Sequence, residues 1–240
     1  MRSISITLSL LMASTTAGVS QGPVAEVRYR ASWVDVAAVT GTGVTALIPG
    51  LLRLPSGPPS CAPCSPSALP GIDRWVVGAS SSLARHGSDV FLIGAGGLAA
   101  YAALHDRSRQ QARGNLAVLA NSVSWTAAST AWLKVLVHRK RPVLYTSAAT
   151  AAAPHASSQQ SFPSGHTSVA FAIATSYLVM ATREPLPHRT RNAILLYGGA
   201  SSVGVLRLAG GSHFPTDVLG GAVLGAGIGW LVAAVHPKLP

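Results

Sequence analysis

Three short polar clusters interrupt a chain otherwise dominated by Ala, Gly, Leu and Val. The first is KVLVHRKRP, with Lys134, Arg141 and Pro142. The second is PSGH, from Pro163 to His166. The third is RLAGGSHFPTD, with Arg207, His213 and Asp217. If the clusters converge, three cations surround two imidazoles, and the natural ligand is a phosphate. Guanidinium forks match phosphate oxygens two at a time, and a helix opening at Ser164 and Gly165 adds backbone N–H donors and the positive end of its dipole. A neutral imidazole can attack phosphorus, and a carboxylate accepting from its other ring nitrogen fixes the tautomer and stabilises the cation that forms. On this reading His213 is the nucleophile and Asp217 its support. The leaving oxygen needs a proton, which an imidazolium supplies by general acid catalysis; that role falls to His166. Lys134, Arg141 and Arg207 neutralise charge on the phosphoryl oxygens, the dominant need in phosphoryl transfer.

Each cluster alone has an ordinary structural explanation. Lys134 can snorkel from a helix end to an interface, and HRKRP can bind anionic headgroups. PSGH can be a plain helix start with Ser164 near the N-cap. His213 and Asp217 can form a local pair, with Pro215 in a first helical turn. What distinguishes a site from three coincidences is whether the fold brings them together.

The elements that would do so are apolar stretches near the length of about 20 residues that a membrane helix requires. They run from Trp33 to Leu54, Val90 to Leu104, Asn115 to Val137, Ser164 to Thr182, Asn192 to Ala209 and Thr216 to Val235. The expected fold is all-α, a transmembrane helix bundle of five to six spans with the active site at one membrane face. The first stretch, which contains Asp35 and Pro49, decides between five and six. Antiparallel connectivity brings the end of the third stretch, the start of the fourth, the end of the fifth and the start of the sixth to one face, where the clusters meet. Gly221, Gly225 and Gly229 form a small-residue stripe that permits close helix approach. The segments 56–69 and 145–160 read as loops.

Composition agrees with membrane residence: 48% of residues are hydrophobic and only 10% charged, against about 25% charged in ordinary soluble domains. The formal charge of +11 reflects scarce acids as much as abundant bases, with seven Asp and Glu in 240 residues. No carboxylate stands between Asp106 and Glu184, so carboxylate-held Mg²⁺ has no place there; no metal, cofactor or nucleic-acid partner is expected. Residues 1–20 resemble a signal peptide or N-terminal anchor, 21–88 form an N-terminal segment with a Pro/Cys loop, and 89–236 the helical core. Cys61 and Cys64, in CAPC, read as the staple of an exported loop. Arginines at 107, 109 and 113, and at 183, 189 and 191, mark two connections as cytoplasmic, which places the site on the periplasmic or exterior face of a bacterial-type inner membrane.

The spacing of the clusters resembles the phosphatidic acid phosphatase type 2/haloperoxidase superfamily: Lys134, six residues, Arg141-Pro142; Pro163-Ser164-Gly165-His166; Arg207, five residues, His213, three residues, Asp217. The resemblance implies a phosphohistidine intermediate on His213 supported by Asp217, leaving-group protonation by His166, and phosphoryl binding by Lys134, Arg141, Ser164, Gly165 and Arg207. It implies a phosphorylated lipid as substrate for a membrane-bound member. The alternatives are a soluble exported acid phosphatase of the same superfamily, a vanadium-dependent haloperoxidase, or a non-catalytic membrane protein binding anionic lipid. Leu206 departs from the pattern, which has Ser before the Arg.

Overall fold

The structure is a computed structural model that describes residues 29–237; the signal-like segment at residues 1–20 lies outside them. Eight α-helices are found among the described residues: α1 Trp33–Leu51, α2 Gly71–Arg74, α3 Ser82–Leu104, α4 Arg109–Val137, α5 Ala149–Ala152, α6 Gly165–Arg183, α7 Arg189–Ala209 and α8 Pro215–Val235. No strand occurs among the described residues.

Helix starts follow local chemistry. Ser81 accepts from the Ala84 amide, and Ser108 and Gln111 form a reciprocal capping box, each satisfying amides that the first turn leaves unpaired. These caps extend two apolar stretches towards the N-terminus. The second begins at Ser82 rather than Val90, which places Ser88 and Asp89 on α3. Pro215 occupies the first turn of α8, where its missing N–H costs nothing. The segment 145–160, read as loop, contains the short α5 and a 3-10 turn at Ala156–Gln159.

The six long helices alternate in direction. The Asn121 amide on α4 donates to Asp35 on α1, and the Trp132 indole donates to the Thr45 carbonyl, so α1 and α4 run parallel. The Ser81 amide donates to the Ala209 carbonyl, pairing the start of α3 with the end of α7. One end of the bundle therefore collects the ends of α1, α4 and α7 with the starts of α3, α6 and α8. The Tyr29 and Pro237 ends of the described chain meet at the opposite end, where the Arg30 amide donates to the Pro237 carbonyl.

The tightest packing is α6 on α8. A Cβ on Gly225 would lie 1.9 Å from the Ser168 carbonyl, and one on Gly221 or Gly229 within 2.6 Å of the Ser164 or Ala172 carbonyl. The three glycines thus seat on residues spaced by four along α6, the backbone contact that a small-residue stripe allows. Towards the far end, Val118, Tyr177, Met180 and Leu196 form the main apolar core.

Three helices, α1, α3 and α8, are long and apolar enough to cross a membrane. Their outward faces carry bare apolar side chains, including Val36, Ile93 and Val223, exposed by 68%, 74% and 74%. The helices α4, α6 and α7 are as long but less apolar, because they turn Asn115, Ser122, Thr126, Ser176 and Asn192 inward. Their hydropathy reports the polar interior of the bundle rather than its perimeter.

Candidate active site

The site is assembled at the end where α4, α7, α3, α6 and α8 meet. Asp217 is its fixed point: it is fully buried on the first turn of α8. One oxygen accepts from the Ser161 hydroxyl at 2.6 Å and the Phe214 amide at 2.9 Å, and the other is paired with Arg139. Its backbone carbonyl accepts the Ser164 amide at 3.0 Å, tying the start of α6 to the start of α8.

His213 sits beside it, only 1% exposed. Its Nδ1 donates to the Ser161 carbonyl at 2.7 Å, while Asp217 Oδ2 lies 3.7 Å from the same nitrogen. The tautomer-fixing bond therefore goes to a backbone carbonyl. Asp217 acts one step back, by holding Ser161 and by its charge. With the Nδ1 proton committed, Nε2 carries the lone pair. Burial pushes the imidazole down to about 3, with the fields of Arg141 and Lys134 acting the same way and Asp217 opposing them. His213 is neutral at physiological pH, the form in which an imidazole can act as a nucleophile.

Two of the cations are held by backbone carbonyls and the third by a serine hydroxyl. Lys134, in the last turn of α4, donates to the Gln160 carbonyl at 2.7 Å. Arg141 donates through Nε to Ser157 at 2.7 Å and through Nη1 to Ser212 at 3.3 Å, which spans the two connections on either side of the site. Burial and the neighbouring Arg207 bring its guanidinium down to about 10, so it keeps its charge. Arg207, 9% exposed on α7, donates to the Ser88 hydroxyl at 3.2 Å, and its Nε has no partner among the described residues. Ser164 is the N-cap of α6; its hydroxyl is shared with Thr167 at 2.9 Å. Gly165 follows as the first helical residue, with Thr130 and Lys134 behind it.

His166 lies in the first turn of α6 and is about one third exposed, with its Nε2 2.8 Å from Asp89 Oδ1 on α3. The structure thus gathers all eight residues named from sequence, Lys134, Arg141, Ser164, Gly165, His166, Arg207, His213 and Asp217, at one end of the bundle.

Five further residues support them. Arg139 bridges Asp217 to Asp73, at 2.6 Å from the latter, donates to Thr216 at 2.6 Å, and covers the Phe214 ring at 4.8 Å. Asp73 in turn accepts the Thr216 amide and hydroxyl. Ser161, Ser88 and Asp89 complete the set. Arg139 stands inside the first cluster and its charge was visible there. Asp73 and Asp89 lie in the N-terminal part, where no spacing links them to a motif. Leu206 packs over Gly87 of α3, where a Cβ would meet its Cδ1 at 3.5 Å; the departure from Ser is absorbed by the interface between α7 and α3.

The connection above the site, residues 52–81, carries the Cys61–Cys64 disulfide, and Cys64 packs with Leu144 and Ala149. No curated protein and no solved structure matched the chain. The family model of the PAP2 superfamily matches residues 115–240, just over half of the chain. With its histidines, cations and buried aspartate converging at one end of an all-helical bundle, the chain belongs to the PAP2 superfamily.

Proposed function

We propose that this protein is a metal-independent phosphatase that hydrolyses a lipid phosphate or pyrophosphate through a phosphohistidine on His213, at the outer face of a bacterial-type cell membrane. The observation that carries the reading is His213 itself. It is buried and neutral, its Nδ1 proton is committed to Ser161, and it lies in the field of Lys134 and Arg141.

In the first half-reaction Nε2 attacks phosphorus, the bond to the leaving oxygen breaks, and His166 transfers its proton to that oxygen. Lys134, Arg141, Arg207 and the amides at the start of α6 hold the remaining oxygens, whose charge changes most in the transition state. In the second, water gives its proton to His166 and attacks phosphorus, and the P–N electron pair returns to His213. Asp217, through Ser161 and through its own charge, favours the cationic phosphohistidine.

The lipid substrate is supported by the apolar faces of α1, α3 and α8 and by an open groove of about 540 Å³ lined by Val90, Phe91, Leu98, Ile194 and Gly198, beginning one residue from Asp89. Orientation is supported by two features. Arg107, Arg109, Arg183, Arg189 and Arg191 flank the connections at the end opposite the site, as expected of a cytoplasmic side. The disulfide lies at the site end, as expected of an oxidising exterior.

The test is phosphate release in detergent with EDTA from phosphatidate, phosphatidylglycerophosphate, an isoprenyl pyrophosphate and p-nitrophenyl phosphate, each against His213→Ala. Turnover that survives chelation, vanishes in the variant and yields an acid-labile, base-stable phosphoenzyme is the expected result. Turnover that requires a divalent ion, or persists without His213, would overturn the reading.

A further inference from the structure

Asp89 lies in the second turn of α3, ahead of the region that matches the family. Its Oδ1 is 2.8 Å from His166 Nε2 and 4.0 Å from Arg207 Nη1, and its neighbour Ser88 accepts from Arg207 at 3.2 Å. Two adjacent residues of one helix therefore hold two different parts of the site: Ser88 holds a phosphate-binding cation, and Asp89 holds the imidazole. Asp89 is itself half exposed, so its partner is not forced on it by burial. We propose that Asp89 is the positioning residue for the leaving-group acid: it accepts from Nε2 of His166, fixes the ring, and leaves Nδ1 as the nitrogen that gives its proton to the departing oxygen. This inference rests on the reading of His166 as the acid.

The balance is that of an acid held by a carboxylate. As the P–O bond breaks, the Nδ1 proton moves to the leaving oxygen and His166 becomes neutral, with Asp89 still accepting from Nε2. Water returns a proton to Nδ1 when the phosphohistidine is hydrolysed. Asp89 neither gains nor loses a proton and does not touch the phosphoryl group.

The geometry makes a prediction that a purely structural role does not. Protonation matters for a poor leaving group, such as an alkoxide, and little for p-nitrophenolate, which departs without help. The full-length protein in detergent is assayed with dodecyl phosphate and p-nitrophenyl phosphate for the wild type, Asp89→Asn, Asp89→Glu, Ser88→Ala and His166→Ala. Asp89→Asn is expected to lower kcat/KM on dodecyl phosphate on the order of 10- to 100-fold, part of the 10²- to 10⁴-fold a general acid supplies, while kcat/KM for p-nitrophenyl phosphate, which reports formation of the phosphohistidine and not its hydrolysis, changes by less than about 3-fold. Asp89→Glu restores part of the loss. Ser88→Ala, acting through Arg207, raises KM for both substrates alike. The retained p-nitrophenyl phosphate activity reports that the variant is folded.

Equal losses of kcat/KM on both substrates in Asp89→Asn, or none, beside a selective loss of kcat/KM in His166→Ala, would overturn the role of Asp89 and leave His166 as the acid. If His166→Ala is itself unselective, both assignments fall.

Discussion

The carbonyl of Ser161 accepts the Nδ1 proton of His213 at 2.7 Å. The same residue's hydroxyl donates to Asp217 at 2.6 Å, so one serine carries both the tautomer of His213 and its link to the buried carboxylate.

The pH dependence follows from this burial. His213 is held near 3, against an ordinary value near 6.5. The unfolded chain therefore binds a proton that the folded chain refuses between those limits, and stability rises with pH across the window. Thermal unfolding in detergent is expected to fall steadily as pH drops from about 6.5 towards 3, with a shallower fall in His213→Gln, which has no imidazole to titrate. A variant slope equal to that of the wild type would contradict the assignment. In kcat/KM no ionisation of His213 is expected between pH 5 and 8.

Asp217→Asn should separate position from charge. The amide oxygen can still accept from Ser161 and Phe214, so the ring stays placed, but the amide NH2 then faces the Arg139 guanidinium, donor against donor, and the proposed phosphohistidine loses its counter-charge. A loss of at least about 10²-fold in kcat is expected, comparable to that from removing one preorganised electrostatic group. KM should move little. Steady-state kinetics on one substrate decides it, and unchanged kcat would mean that Asp217 is only a helix cap.

Arg139 is predicted to be worth more to the fold than any of the proposed phosphate-binding cations. It pairs with Asp73 and Asp217, both completely buried. Arg139→Ala strands two carboxylates, and losing one partner of a buried pair costs about 3–5 kcal/mol. Arg139→Lys keeps the charge but cannot present two donors to separate carboxylates, so an intermediate loss is expected. Denaturation midpoints of the two variants against wild type provide the measurement.

The stripe on α8 offers a paired comparison within two residues. Gly225→Ala drives a Cβ to 1.9 Å from the Ser168 carbonyl, whereas nothing lies within 4 Å of one on Gly227. Gly227→Ala should be neutral or stabilising by about 0.5–1 kcal/mol, the helical advantage of Ala over Gly. Gly225→Ala should separate α6 from α8 and abolish activity, since that contact holds the start of α6, which carries Ser164 and His166, against the start of α8, which carries Asp217.

Much of this protein is legible in the sequence for a simple reason: charge is expensive in an apolar chain, so the few polar clusters stand out and their spacing is set by the helices that carry them. The three clusters, the helix opening at Ser164, the proline at the start of α8 and the glycine stripe are all local features, and periodicity or turn chemistry exposes them. The partners were decided only in three dimensions. Asp73 and Asp89 are ordinary lone acids in the sequence; they become part of the site because α2 lies beside α8 and α3 against α7. Backbone carbonyls carry no signal in residue type, so the Ser161 acceptor of His213 could not be read, and Asp217 was expected to stand in its place. The hydropathy of α4, α6 and α7 is likewise ambiguous along the chain, because whether an inward serine faces a polar interior or breaks a membrane span depends on which helices surround it.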